Sequence, residues 1–270
     1  MRRRAQKGDF SVRGIAGSHT VLLGMNVLSE SARKGLLGFS VKRTDHTEDE
    51  SYWLKGFRTF EQNASGHPPG TLVSTWLNPI QDFVWADYTA KPGHRYTYIV
   101  VPRHGTPDNL LFHPAVRLTI STEDEDKGTH AVFFNRAAAA SQAYCRKFGN
   151  VSPLEVGPPA LEWLSRGLVE ALIGFIRQAK GEGWGIRASV YEFTHLPVLI
   201  EFKAAIDRGV DVRIVFDNKK KGPGEANSAA MKKVGIDPQF VVQRNSNPSY
   251  ISHNKFMLLL KDGKPLQVWT

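Results

Sequence analysis

The sequence predicts two domains of different class, an all-β domain followed by an α/β domain. Three observations carry this reading. The 270 residues exceed the usual length of one domain and suit two. Up to about residue 125 the apolar residues come in short alternating runs, cut by Gly, Pro and Asn clusters. Beyond the acidic loop Glu123-Asp124-Glu125-Asp126, apolar spacings of three and four residues alternate with short β-rich runs, the pattern of an α/β layer with a mostly parallel sheet. The expected boundaries are 1–128 for the β domain, 129–158 for a connecting helix and linker, and 159–270 for the α/β domain.

In the β domain the clearest strand is 96–101, where Tyr96, Tyr98 and Val100 alternate with Thr97, Ile99 and Val101 between Lys91-Pro92-Gly93 and Pro102. Further strands are expected at 20–23, 38–41, 72–76, 82–85, 116–120 and 131–134. Many short strands with frequent turns indicate a sandwich or barrel. Residues 83–98, rich in alternating aromatics, resemble the late strands of an immunoglobulin or fibronectin-type sandwich, and Trp76, Trp85 and Tyr88 read as core. In the second half, helices are expected at 136–148 (ending near Gly149), 160–180, 197–208 (ended by Gly209) and within 224–234 (ended by Gly235). Strands are expected at 186–193, 210–216, 239–242 and 255–260, the last turning back at Asp262-Gly263.

Composition narrows the function classes. With 41% hydrophobic and 23% charged residues the chain is that of a packed protein, not a disordered one. No apolar stretch approaches the roughly 18–20 residues of a transmembrane helix. Asp9 and Arg13 interrupt what would follow Arg2-Arg3-Arg4 in an export signal. The single cysteine, Cys145, excludes an internal disulfide and a multi-cysteine metal site, so the expected location is the reducing cytoplasm. The net charge of +9 is uneven: residues 1–125 hold 15 Lys/Arg against 13 Asp/Glu, residues 126–270 hold 20 against 13. A basic half suits an anionic partner, nucleic acid or phospholipid headgroup.

The segment that carries chemistry is Ser252-His253-Asn254-Lys255-Phe256-Met257-Leu258-Leu259-Leu260. On a strand, residues two apart share a face, which places His253 and Lys255 together. A neutral imidazole can attack phosphorus, and an ammonium beside it neutralises oxygens whose charge rises in the transition state. No His/Cys/Asp group has metal-ligand spacing, and no metal or cofactor is expected. Glu192, His195 and Asp217 stand at the carboxyl ends of the expected parallel strands, where open α/β sheets bind ligands, and are candidate substrate-binding residues; Asp217 also reads as a residue that orients a site group or caps the turn into Asn218. The run Lys219-Lys220-Lys221 before Gly222-Pro223-Gly224 is a basic loop able to meet phosphates.

Strand 186–194, the run Arg208-Gly209-Val210-Asp211-Val212-Arg213-Ile214-Val215-Phe216-Asp217 and the His253-x-Lys255 strand together resemble one half of a phospholipase D superfamily enzyme, especially its small bacterial endonuclease branch. The resemblance spans about residues 160–270. It implies a mixed sheet flanked by helices and a phosphodiesterase that needs no metal. It also implies a histidine nucleophile and a phosphate-binding lysine supplied twice across a two-fold or pseudo-two-fold interface, the second histidine being the general acid. By position His253 and Lys255 take the first pair of roles.

Three departures accompany the resemblance. The family's aspartate position is Leu260 here, with Asp262 two residues on, either a displaced equivalent or a turn residue. Among nine histidines only His253 has Lys two residues later, so a second half-site is expected from further polypeptide or a homodimer. A Gly-Ser-x-x-Asn-like phosphate segment is expected where the sequence stops at Thr270. The expected function is a phospholipase D-type phosphodiesterase acting on nucleic acid or phospholipid through a phosphohistidine. The alternative is a catalytically incomplete module that binds an anionic polymer or a partner domain.

Overall fold

The computed structural model describes residues 1–63, 66, 68, 70–136, 141–219, 223–244 and 251–270. The chain divides into two compact units, Met1–Val132 and Phe133–Thr270, each with its own hydrophobic core. The segment read as a connector, 129–158, falls mostly within the second unit, because its helices pack there.

The first unit opens with an antiparallel hairpin of β1 (Arg2–Lys7) and β2 (Phe10–Ala16), continued by β3 (Val21–Val27). A short helix α1 (Glu30–Arg33), capped by the Ser29 hydroxyl, leads to β4 (Gly38–Asp45) and β5 (Glu50–Trp53). The pair β6 (Lys55–Gly56) and β7 (Val73–Ser74) precedes β8 (Val84–Asp87), the long β9 (Arg95–Thr106), β10 (Asn109–Phe112) and β11 (Val116–Ser121). The small hairpin β12 (Asp126–Lys127) and β13 (His130–Ala131) ends the unit. One sheet runs β1-β2-β3-β8; the other runs β10-β9-β4-β5, with β11 also paired to β9. Alternate residues of both sheets, including Val12, Leu23, Val41, Tyr98, Val100 and Leu118, meet in one core, a sandwich arrangement.

Strands 72–76 and 131–134 are expected longer than they are: only Val73–Ser74 and His130–Ala131 pair. Strand β1 escapes the sequence reading because Arg2–Lys7 is polar and largely exposed; backbone pairing with β2 holds it, not apolar alternation. Tyr88 is 74% exposed, in the turn after β8, and so is not core. Trp85 packs against the core, while Trp76 is half-buried between Trp53 and the Arg103 guanidinium.

The centre of this unit holds a buried polar group. The Asp87 carboxylate accepts from Arg43 Nη1 at 3.0 Å, from the Tyr98 hydroxyl at 2.8 Å and from the Thr89 N–H at 2.9 Å. Arg43 lies between the Tyr52 and Tyr96 rings. Burial first, and then the Asp87 charge, push the Tyr98 phenol above its ordinary range.

The second unit begins with α2 (Gln142–Phe148), α3 (Pro153–Val156), α4 (Pro158–Ser165) and α5 (Leu168–Arg177). The helix start expected at 136 falls partly on residues outside the described set; the described helix begins at Gln142, where the Ser141 hydroxyl caps it. The helix expected over 160–180 is two helices. Arg166 and Gly167 both take left-handed backbone angles, and the Ser165 hydroxyl accepts from the Val169 N–H to start α5 afresh. Then follow β14 (Trp184–Val190), α6 (Leu196–Asp207), β15 (Asp211–Asp217), α7 (Pro223–Val234), β16 (Val241–Arg244) and the hairpin β17 (Lys255–Lys261) and β18 (Lys264–Trp269).

The sheet order is β16-β15-β14-β17-β18; the first three strands are parallel, while β17 is antiparallel to β14 and β18 to β17. Alternate residues Ile186, Ala188, Val212, Ile214, Phe216, Met257 and Leu259 form one core with Phe175 and Ile176 of α5, Leu199 and Phe202 of α6 and Met231 of α7. Helices α5, α6 and α7 therefore cover one face of the sheet. The intervening residues Arg187, Ser189, Arg213, Val215, Phe256 and Leu258 are half-buried or exposed. Among the described residues no helix is long and apolar enough to cross a membrane.

Candidate functional site

The parallel strands β14 and β15 end side by side at Val190 and Asp217, and β17 starts at the same edge, since its first residue, Lys255, pairs with Val190. His253 is not on the strand, as the spacing suggests; it stands two residues before it, in the lead-in to β17. The lead-in nevertheless brings the two side chains together. The His253 ring lies 5.0 Å, centroid to centroid, from the Tyr191 ring, and Lys255 Nζ lies 5.3 Å from the same centroid. Lys255 Nζ also donates to the His253 carbonyl at 3.2 Å. Both side chains are exposed, so an imidazole and an ammonium face solvent around one aromatic ring.

Buried polar groups lie beneath them. Asp217 is fully buried, and its Oδ2 accepts from the Ser252 N–H at 2.7 Å and from Arg244 Nη1 at 2.9 Å; Oδ1 accepts from the Lys219 N–H at 2.9 Å. Asn227 of α7, also fully buried, donates to the Tyr191 carbonyl at 2.8 Å and the Asp217 carbonyl at 3.3 Å, and accepts from the Phe193 N–H at 2.6 Å. It thus ties the chain leaving β14 to the end of β15. Gly224 lets α7 approach this corner, because a Cβ there would stand 2.6 Å from the Asn218 carbonyl carbon.

Burial alone would raise the Asp217 pKa, but the Ser252 and Lys219 N–H groups and the Arg244 charge outweigh it and hold the carboxyl below its ordinary value. A carboxylate depressed in the folded state stabilises the fold above its unfolded pKa of about 3.9, and that contribution is lost as pH falls through the folded value. The second unit is therefore expected to weaken as pH falls from about 5 into the acid range, and Asp217→Asn to flatten that decline. Urea unfolding of both proteins at a series of acid pH values checks this.

Of the other sequence candidates, Glu192 is exposed one residue beyond Tyr191, and His195 is exposed at the start of α6, its carbonyl accepting from Val198 and Leu199. No hydrogen bond or ring contact joins either to His253 or Lys255 among the described residues. Asp217, being buried, presents no carboxylate oxygen to a substrate. Leu260 packs over Gly185, whose Cβ would stand 3.2 Å from Leu260 Cδ1. Asp262 is the turn residue of the β17–β18 hairpin, in a left-handed conformation at the end of β17 remote from Lys255. Residues 220–222 of the basic loop lie outside the described residues.

Sequence reasoning gave no role to Tyr191, Asn227, Ser252 or Arg244, although Tyr191 and Ser252 stand beside its candidates. Tyr191 had a signal, since it is the first residue past β14 at the carboxyl edge of the sheet. The others come from α7, the β17 lead-in and β16, and only folding brings them to Asp217.

One group elsewhere has metal-ligand character that linear spacing conceals. In the first unit Asp45, Glu48 and His94 bring one ligand-type atom each within 4.8 Å of one another. These groups already have partners within the protein: His94 Nδ1 lies 2.8 Å from Asp45 Oδ2, and Lys91 Nζ donates to Glu48 at 2.5 Å.

The family model for the cardiolipin synthase, PLD-like domain matches residues 172–267, which spans β14 to β18 and the site. The second unit therefore carries a phospholipase D-like domain. No curated protein matches the chain. A solved structure from the computer-based redesign of a β-sandwich protein is similar at 10% identity and a TM-score of 0.26, covering 48% of this chain and 99% of that one.

Proposed function

We propose that the second unit is a phosphodiesterase half-site in which His253 is the nucleophile and Lys255 binds phosphate. The observation that carries this is the convergence of His253 and Lys255 on Tyr191, at the carboxyl edge of a sheet whose residues match a PLD-like domain. In the first step a ring nitrogen of His253 forms a bond to phosphorus, the bond from phosphorus to the leaving oxygen breaks, and that oxygen takes a proton from the second half-site's histidine. In the second step that histidine, now neutral, takes a proton from water as the water oxygen attacks phosphorus, the phosphorus–nitrogen bond breaks, and both histidines are regenerated. Lys255, steered by the Tyr191 ring and the His253 carbonyl, meets the non-bridging oxygens as their charge rises. The second His-x-Lys comes from further polypeptide or a second copy of the chain.

Nucleic acid is the favoured substrate over phospholipid. The second half carries the excess positive charge. Bis-p-nitrophenyl phosphate tests the chemistry, because p-nitrophenolate departs without much help from a general acid. Hydrolysis in EDTA is expected, and Lys255→Ala is expected to lower its rate by about 10²-fold or more. Because Lys255 is exposed, the same change should move stability by under about 0.5 kcal/mol. The second reading, an anion-binding module without turnover, is favoured by Leu260 at the family's aspartate position. It expects retained oligonucleotide binding with no nitrophenolate release.

A further inference from the structure

We infer that Asp217 is a positioning residue for the His253 nucleophile, acting through the Ser252 N–H, and not a substrate ligand; the inference rests on the function proposed above. His253 lies outside β17, so the ladder pairing β17 with β14 does not fix it. The backbone immediately before it is fixed instead by the 2.7 Å bond from Ser252 N–H to Asp217 Oδ2. That oxygen is held in turn by Arg244 of β16 at 2.9 Å, and Oδ1 by the Lys219 N–H at 2.9 Å. The Asp217 main chain is tied to Tyr191 through Asn227, and the Tyr191 ring is the surface on which His253 rests. One buried carboxylate therefore links the end of β15, the outer strand β16 and the residue next to the nucleophile. Only an acceptor-only group satisfies all these N–H donors at once.

Asp217→Asn keeps the shape of the side chain but turns half of it into a donor facing donors. Its expected effect is a displaced Ser252 and a loosened His253. Misplacing a reacting group by about 1 Å costs on the order of 10²-fold. The variant should therefore lower kcat on bis-p-nitrophenyl phosphate by about 10–10²-fold with little change in KM. Ile214→Val, a core change in the same strand remote from Ser252, supplies the control for lost stability alone and should leave kcat near wild type.

A readout independent of turnover accompanies the kinetics: hydrogen exchange at the Ser252 amide and the NMR signals of the His253 ring. In Asp217→Asn the amide should lose protection and the ring signals should shift; in Ile214→Val neither should change. Should Asp217→Asn not fold, Ser252→Pro removes the donated N–H while also fixing φ at that residue, and is expected to lower kcat in the same way. The inference is overturned if the Ser252 amide and His253 signals are unchanged in the Asp217 variant, or if Ile214→Val lowers kcat equally. Absence of any wild-type hydrolysis would instead sink the phosphodiesterase reading, and the NMR comparison would still decide the role of Asp217.

Discussion

Replacing His253 with alanine is expected to lower metal-independent phosphodiester hydrolysis by about 10⁴-fold or more, the scale of losing a nucleophile whose partners work as a unit with it. The effect should fall on chemistry and leave the fold intact. His253 is exposed, precedes its strand, and contributes only its carbonyl to the Lys255 contact, which alanine also supplies. Stability should accordingly change by under about 0.5 kcal/mol, measured as a urea midpoint at constant slope. A His253→Ala protein that is stable and retains its rate would remove the imidazole from the mechanism.

The largest effect on stability is expected in the first unit, at Asp87→Ala. That change leaves the buried Arg43 guanidinium without its carboxylate and takes the acceptor from the Tyr98 hydroxyl and the Thr89 N–H. Breaking a buried pair from one side costs about 3–5 kcal/mol, because the surviving charge stays desolvated. For a unit of this size the thermal midpoint should fall by more than about 10 °C. Replacing both partners, Arg43→Met with Asp87→Leu, should cost less than the single change, since no lone charge is left inside. Thermal unfolding followed by near-ultraviolet circular dichroism checks both. A single variant within about 1 kcal/mol of wild type would mean that Arg43 reaches water when Asp87 is gone.

The fold was legible where side-chain pattern and backbone agreed. Strand β11 alternates buried Val116, Leu118 and Ile120 with exposed Arg117 and Thr119, and α6 ends at Gly209 in a left-handed conformation. It was illegible where pairing alone makes the element. Arg2–Lys7 is a strand only because β2 lies beside it, and no periodicity in Arg-Arg-Arg-Ala-Gln-Lys announces that. The break between α4 and α5 was hidden because Leu161, Leu164, Leu168 and Leu172 keep helical spacing through the interruption at Arg166 and Gly167.

The candidate site divides the same way. His253 and Lys255 were legible as a pair because their chemistry lies in one short segment. Asp217 was noticed, but substrate contact, orientation of a site group and turn capping stayed open, since sequence places it at a strand end and does not show its burial. Lys219 is its near neighbour, but Arg244 and Ser252 reach it from two separate stretches of chain. The metal-type cluster of Asp45, Glu48 and His94 was hidden for the same reason, His94 arriving from a distant turn.

The central claim is that a nitrogen of His253 bonds to phosphorus during turnover. The direct measurement is to mix the protein with bis-p-nitrophenyl phosphate in EDTA, quench within the first turnover under alkaline conditions that preserve phosphoramidates, and map the adduct by mass spectrometry. The account predicts a nitrophenyl phosphate adduct on the peptide containing His253, absent from His253→Ala and formed more slowly in Lys255→Ala. Nitrophenolate release with no adduct at His253, or an adduct of equal yield elsewhere in His253→Ala, would contradict it.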